Sequence, residues 1–165
     1  MSMAVPFIEE LTQEGETTRR VLERVPEDKL SWKPHARSMS LGQLALHTAQ
    51  TPGSIAYLLK DLTFEGSPPP QTEATSRAEL LKAHEDALAQ AKAALTGWGD
   101  AGLSASWKFT RGGKTLMGAP RAGVVRSLML NHWYHHRGQL TVYLRLLGVP
   151  LPSVYGPSAD ENPFG

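Results

Sequence analysis

Residues 121–147, with the sequence RAGVVRSLMLNHWYHHRGQLTVYLRLL, decide the fold of this chain. Apolar residues recur there every three or four positions, a spacing typical of an amphipathic helix. We predict a helix from about Arg121 to Leu147 that ends at Gly148, with Pro150 just beyond it. At the usual rise per residue this helix would be about 40 Å long. Its predicted inner face consists of Val124, Val125, Leu128, His132, Gln139, Val142, Tyr143 and Leu146.

Three earlier stretches have the same periodicity. The first predicted helix runs from about Pro6 to Val25, and the second runs from the N-cap Ser40 to near Asp61, with a bend expected at Pro52. The third begins with a capping box at Ser76–Glu79 and ends at Gly97. Each helix has one apolar stripe, and four such helices bury their stripes by forming a bundle.

The connections between these helices are also informative. Residues 66–70, with the sequence GSPPP, are predicted to form a stiff linker. The stretch from Trp107 to Leu116 alternates in polarity around Gly112-Gly113 and predicts a short hairpin. Trp32 is expected to anchor its loop to the core. We therefore predict an all-α four-helix bundle, a single domain over residues 1–165, with a short irregular or hairpin insertion before the last helix.

Composition excludes several classes of function. The chain has 165 residues, with 17 basic and 16 acidic side chains, so its charge gives no reason to expect nucleic acid or a membrane surface as a partner. It has no cysteine, which excludes disulfides, thiolate metal sites and cysteine nucleophiles. Its first residues do not resemble a signal peptide, and we expect a cytoplasmic protein.

The histidines carry the chemical signal. His132 and His136 lie one turn apart on the last predicted helix, a spacing that lets two imidazoles hold one divalent metal. A catalytic site needs a third ligand, and His47 on the second helix is the best-placed candidate. His135 lies about 60° around the helix from His132 and could replace His136. His84 is expected to be a hydrogen-bonded core residue, with a role beside the site as the alternative.

Other catalytic motifs are absent from the sequence. No glycine-rich phosphate loop precedes a helix, and no Gly-x-Ser-x-Gly elbow occurs. The histidine helix also lacks the glutamate that serves as general base in zinc peptidases. The sequence therefore assigns no catalytic side chain.

Four segments together resemble the DinB/YfiT-like family. They are Leu30–Pro34, Met39–His47, His132–Leu140 and Tyr155–Asp160, so the match spans the chain. The resemblance implies a four-helix bundle in an up-down-down-up arrangement, often a homodimer.

The same resemblance implies a divalent metal, zinc or nickel, held by three histidines. Carried onto this sequence, the ligands are His47, His132 and His136. The last ligand is the histidine directly before Arg-Gly-Gln, which selects His136 over His135.

Three functional hypotheses follow. The first is a metal-dependent hydrolase or low-molecular-weight-thiol transferase that acts on a small molecule. In it Gln139 would orient substrate or a ligand, and Arg137 would contact an anion unless it is a solvent-exposed charge. The second is a non-enzymatic, metal-stabilised bundle used in stress response or as a dimeric binding module. The third is that the histidines are structural polar residues that bind no metal.

Overall fold

The computed structural model describes residues 2–67 and 70–165, so Pro68 and Pro69 of the predicted linker lie outside the described residues. Four long helices dominate the described part of the chain, as predicted. They are α1 (Ala4–Leu22), α2 (Leu41–Leu58), α3 (Arg77–Ser104) and α4, which spans residues 121–146. None of the described helices is long and apolar enough to cross a membrane.

Contacts of α1 give its direction relative to two neighbours. At the start of α1, the backbone N–H of Met3 donates to the carboxylate of Asp100, near the end of α3, at 2.7 Å. Glu10 in the first half of α1 pairs with Arg126 in the first half of α4 at 2.7 Å. Helix α1 is therefore antiparallel to α3 and parallel to α4.

Contacts of α2 complete the arrangement. Ala74, just before α3, donates its backbone N–H to the carbonyl of Gly42, at the start of α2, at 3.5 Å. The hydroxyl of Tyr143, near the end of α4, donates to the carbonyl of Met39, just before α2, at 3.3 Å. Helix α2 is therefore parallel to α3 and antiparallel to α4, which confirms the up-down-down-up bundle.

Helix starts agree with the capping signals in the sequence. The Ser40 hydroxyl accepts from the backbone N–H of Gln43 at 3.1 Å, and the Gln43 side chain accepts from the Ser40 N–H at 3.0 Å. Ser76 likewise accepts from the Glu79 N–H at 3.1 Å, but the Glu79 carboxylate accepts from the N–H of Thr75 instead. Helix α2 continues through Pro52.

The predicted end of α3 at Gly97 lies two residues before a break in the helix. The helix extends to Ser104, and Gly99, with a φ of 55°, introduces a kink near its C-terminal end. Glycine adopts positive φ without steric penalty, so it lets the helix change direction and resume. The prediction thus located the break approximately and missed the short helical piece that continues from it to Ser104.

The predicted hairpin is present and belongs to a larger sheet. Strands β2 (Ser106–Arg111) and β3 (Lys114–Pro120) pair antiparallel around Gly112 and Gly113, whose φ angles are 56° and 73°. A third strand, β1 (Thr63–Glu65), pairs parallel with β2 and was not predicted. In chain order, β1 follows α2, whereas β2 and β3 lie between α3 and the start of α4.

Helix α4 contains a π-helical segment. Its parts are Arg121–Val124, the π segment Val125–Asn131 and the regular helix His132–Leu146. A π-helix closes its hydrogen bonds one residue later than an α-helix, so side chains beyond it shift to a later face. Met129 and Leu130 are buried at the end of this segment, and the buried residues after it are Trp133, His136, Arg137, Leu140 and Leu144.

This shift corrects the predicted inner face of α4. Val124 and Val125, at or before the start of the π segment, are buried as predicted. Val142 and Leu146, predicted to face inward, are 58% and 61% exposed. The prediction assumed the α-helical period throughout α4, whereas residues 125–131 form a π-helix with more residues per turn.

Candidate metal centre

Three histidines meet between α2 and α4. One nitrogen from each of His47, His132 and His136 lies within 4.8 Å of the other two. The ring centres of His47 and His132 are both 4.4 Å from that of His136, and they are 5.4 Å from each other. The structure therefore brings together the three residues predicted as ligands, in a group that could hold a metal ion.

Local structure places each imidazole. His47 lies two turns after the Ser40 capping box that starts α2. His132 begins the regular part of α4 directly after the π segment, and His136 follows one turn later. The π segment thus sets the angle at which this pair approaches α2.

Gln139 fixes the orientation of His136. The Nδ1 of His136 lies 2.8 Å from the Gln139 side-chain oxygen, which can only accept a hydrogen bond. His136 therefore carries its proton on Nδ1, and the lone pair of Nε2 points into the histidine group. Metal-binding histidines typically have such a partner on the second ring nitrogen. The sequence-based expectation that Gln139 orients a ligand side chain agrees with this contact.

Burial and mutual proximity keep the imidazoles uncharged. The pKa of His47 is lowered from 6.5 to about 4, chiefly by burial and further by the positive charge that His136 or His132 would carry. Burial also lowers the pKa values of His132 and His136. Neutral imidazole is the form that binds metal, so the group is ready to ligate at pH 7.

Two ring nitrogens of α4 make the closest contact within the group. The Nε2 atoms of His132 and His136 are 2.6 Å apart, and Nδ1 of His132 is buried with no hydrogen-bond partner in the described structure. With the His136 proton on Nδ1, the 2.6 Å contact is a hydrogen bond only if Nε2 of His132 carries a proton. A divalent cation would instead accept both lone pairs, and tetrahedral coordination would hold the two nitrogens about 3.3 Å apart, so metal binding requires a small separation of the rings.

The remaining histidines lie outside the group. His135 is exposed, although its ring centre is 5.1 Å from that of His136. His84 is buried and bonds the Gly15 carbonyl at 2.9 Å through Nε2, which is the structural role expected for it. His35 is exposed in the loop before α2.

Arg137 occupies an unexpected position. It is 1% exposed, so the alternative of a solvent-exposed charge is wrong. Its Nη2 lies 2.6 Å from the Glu14 carboxylate and 2.5 Å from the Tyr155 hydroxyl, and its Nη1 donates to the Thr18 hydroxyl at 3.2 Å. These partners lie on α1 and in the C-terminal tail. The guanidinium joins three parts of the chain and does not line the cleft described next.

A cleft of about 1040 Å³ opens beside the histidine group and is lined by α2, α3, α4, Phe64 of β1 and residues 67 and 70–72. His47 and His132 line it, whereas His136 does not. Local sequence patterns do not predict this cleft, because its walls come from segments far apart in the chain. The arrangement offers a coordination centre with space for a small molecule on one side.

The sequence profile of the DinB family matches residues 1–162. The chain belongs to the DinB family. A curated relative, the uncharacterized protein YrdA of Bacillus subtilis, is 28% identical over 156 residues, which cover 94% of this chain and 89% of YrdA. The family assignment made from the four sequence segments is therefore confirmed.

Solved structures of DinB-like proteins have the same fold. One from Bacillus cereus is 26% identical, with a TM-score of 0.75 over 93% of this chain and 98% of the other. The DinB-like protein YjoA from Bacillus subtilis is 22% identical, with a TM-score of 0.70 over 90% of this chain and 96% of the other. The DinB-type bundle is thus established for this chain.

Proposed function

We propose that this DinB-family protein is a metal-dependent enzyme. His47, His132 and His136 would hold a divalent ion, zinc or nickel, and the adjoining cleft would take a small-molecule substrate. One observation carries the proposal: three imidazoles kept neutral by burial converge from two helices, and two of them, His47 and His132, line a cleft.

The chemistry follows from the donor set. A divalent ion bound there would lower the pKa of a water molecule or of a substrate thiol and so supply a nucleophile near pH 7. Three protein ligands leave at least one coordination position open. His47 and His132 present their side of the group to the cleft, and Gln139 holds His136 behind them.

The histidine group contains neither a carboxylate nor a thiol. No carboxylate belongs to it in the described structure, and the sequence has no cysteine. In the proposed enzyme the metal would therefore activate a nucleophile from solvent or from a second substrate. Hydrolysis and transfer of a low-molecular-weight thiol are two reactions of this kind.

The cleft favours an enzyme over a non-catalytic bundle. A metal that only stabilises the fold needs a closed coordination sphere and no neighbouring space. Here two of the three histidines line a cleft of about 1040 Å³, which is large enough for a typical substrate.

Metal analysis with matched variants tests the proposal. The protein is purified without chelator, its metal content is measured, and the metal-free form is reloaded with zinc or nickel. We expect about one ion per chain and a rise in melting temperature on reloading. His132→Ala should abolish both effects, whereas the exposed His135→Ala should retain them.

Activity is then measured with the reloaded protein. A panel of esters and amides tests hydrolysis, and a panel of electrophiles with small thiols tests transfer. Turnover that depends on the metal and is lost in His132→Ala supports the proposal. Stoichiometric metal binding without turnover in either panel would favour the non-enzymatic bundle.

A further inference from the structure

Part of the cleft lining is apolar. Ile55 and Leu58 of α2, Phe64 of β1 and Leu128 of α4 all line the cleft, and each is partly buried. Leu128 lies four residues before His132 on the same helix. Contact with such surface removes apolar groups from water, which favours binding in proportion to the area covered. A ligand in the cleft would thus cover hydrocarbon from α2, β1 and α4.

The ionised groups of the cleft lie on α3. They are Glu79, Lys82 and Asp86, so two carboxylates accompany one ammonium group in the described lining. The Lys82 ammonium already donates to both carboxylate oxygens of Asp86. The Glu79 carboxylate accepts from the backbone N–H and the hydroxyl of Thr75 at 2.7 and 2.8 Å.

Apart from the proposed metal, the described lining gives an anionic ligand no free cationic partner. Phosphates and carboxylates are usually bound by arginine forks, free lysines or helix N-termini. The described lining contains no arginine, and its lysine is already paired with Asp86. The other polar lining groups include the neutral amides of Gln50 and Gln90, which tolerate an uncharged ligand.

We infer that the cleft selects an uncharged electrophile with an aromatic or aliphatic body. Its reacting end lies at His47 and His132, and its body lies along Ile55, Leu58, Phe64 and Leu128. The inference rests on the proposed function, because it names the substrate class of the same centre.

Binding of hydroxamic acids to the zinc-loaded protein tests the inference without turnover. The hydroxamate group coordinates the metal in every member of the series, so differences report the tail alone. Acetohydroxamic acid has no tail, 5-phenylpentanohydroxamic acid has an apolar tail, and suberic acid monohydroxamate has a tail that ends in a carboxylate. Dissociation constants are measured by calorimetry.

We expect the phenyl tail to tighten binding at least tenfold over acetohydroxamic acid and the carboxylate tail to give less than a threefold gain. Leu128→Gln should remove most of the gain from the phenyl tail. The matched control Leu146→Gln, on the exposed side of the same helix, should keep it. The wild-type series decides the question even if Leu128→Gln folds poorly.

Two other outcomes are distinguishable. If acetohydroxamic acid binds but the phenyl tail adds nothing, or the carboxylate tail gains as much, the inferred substrate class is overturned and the metal centre stands. If the protein retains no metal, so that no hydroxamate binds, the proposed function fails and the inference fails with it.

Discussion

Arg137 and Glu14 form an ion pair inside the protein, with Nη2 and Oε2 2.6 Å apart and side-chain exposures of 2% and 15%. Arg137 directly follows His136, so this pair ties the turn of α4 that carries His136 to α1. Tyr155 extends the contact to the C-terminal tail, because its hydroxyl donates to Glu14 at 3.0 Å. The position of His136 thus depends on contacts made on the far side of its helix from the cleft.

Arg137→Ala should destabilise the protein by about 3–5 kcal/mol, since it leaves the Glu14 carboxylate buried without its partner. The free energy of unfolding is measured by denaturant titration of the metal-free protein. Arg126→Ala is the matched control, because the Arg126–Glu10 pair joins the same two helices with side chains 45% and 30% exposed. That pair should contribute about 0–1 kcal/mol. Equal losses in both variants would show that burial of Arg137 has no energetic importance.

Gln139→Leu should weaken metal binding about 10–100-fold, because it removes the acceptor that orients His136. Gln139→Glu retains an acceptor at that position and should keep the affinity. Both are measured by competition with a chromophoric chelator. Because Gln139 is exposed, neither change should alter the unfolding free energy of the metal-free protein much. An unchanged metal affinity in Gln139→Leu would show that Gln139 does not orient His136 for metal binding.

Acid should destabilise the metal-free protein between about pH 6.5 and pH 4. The pKa of His47 falls from 6.5 in the unfolded chain to about 4 in the fold, so the unfolded state binds more protons in this range. Stability rises with pH wherever the unfolded state binds more protons, and it is therefore lost as pH falls. The lowered pKa values of His84, His132 and His136 act in the same direction.

Melting temperatures in the presence of chelator, measured from pH 8 to pH 4, test this. His47→Gln cannot titrate at that position and should show a shallower decline than the parent protein. A decline of equal slope in both proteins would mean that His47 is not the group responsible.

Substitutions along the end of α4 should reveal its shifted face. Leu144→Ala should cost about 2–5 kcal/mol of unfolding free energy, because Leu144 is fully buried. Leu146→Ala should change it by less than about 0.5 kcal/mol, since Leu146 is 61% exposed. The unshifted helix predicted from sequence requires Leu146→Ala to be the more costly change.

The helical bundle was accessible to sequence analysis because its signals are local. Ser40 and Ser76 mark helix starts, and Gly112-Gly113 marks a hairpin turn, each through chemistry confined to a few residues. Strand β1 escaped prediction because three residues are too few for their alternation to be distinguished from chance, and the strand pairs with a segment more than 40 residues away, β2. The helical piece after Gly99 escaped prediction for a similar reason, since a glycine can end a helix or bend it and the local sequence does not say which.

The histidine group was partly accessible. Spacing paired His132 with a histidine one turn later but could not exclude His135, which the structure leaves exposed. The resemblance made that choice, and the structure places His136 with His47 and His132. The role of Arg137 was out of reach, because its partners Glu14 and Tyr155 are distant in sequence.

The π segment has a consequence for variation of this chain. The π segment includes one residue more than a regular α-helical turn would, and this rotates the second half of α4 about the helix axis relative to the first. An insertion or deletion of one residue within Val125–Asn131 would turn the second half by about 100° while leaving the first in place. Such a change would rotate His132 and His136 together away from His47 on α2. In alignments of relatives, a one-residue gap at this point would therefore matter more than several substitutions elsewhere in the helix.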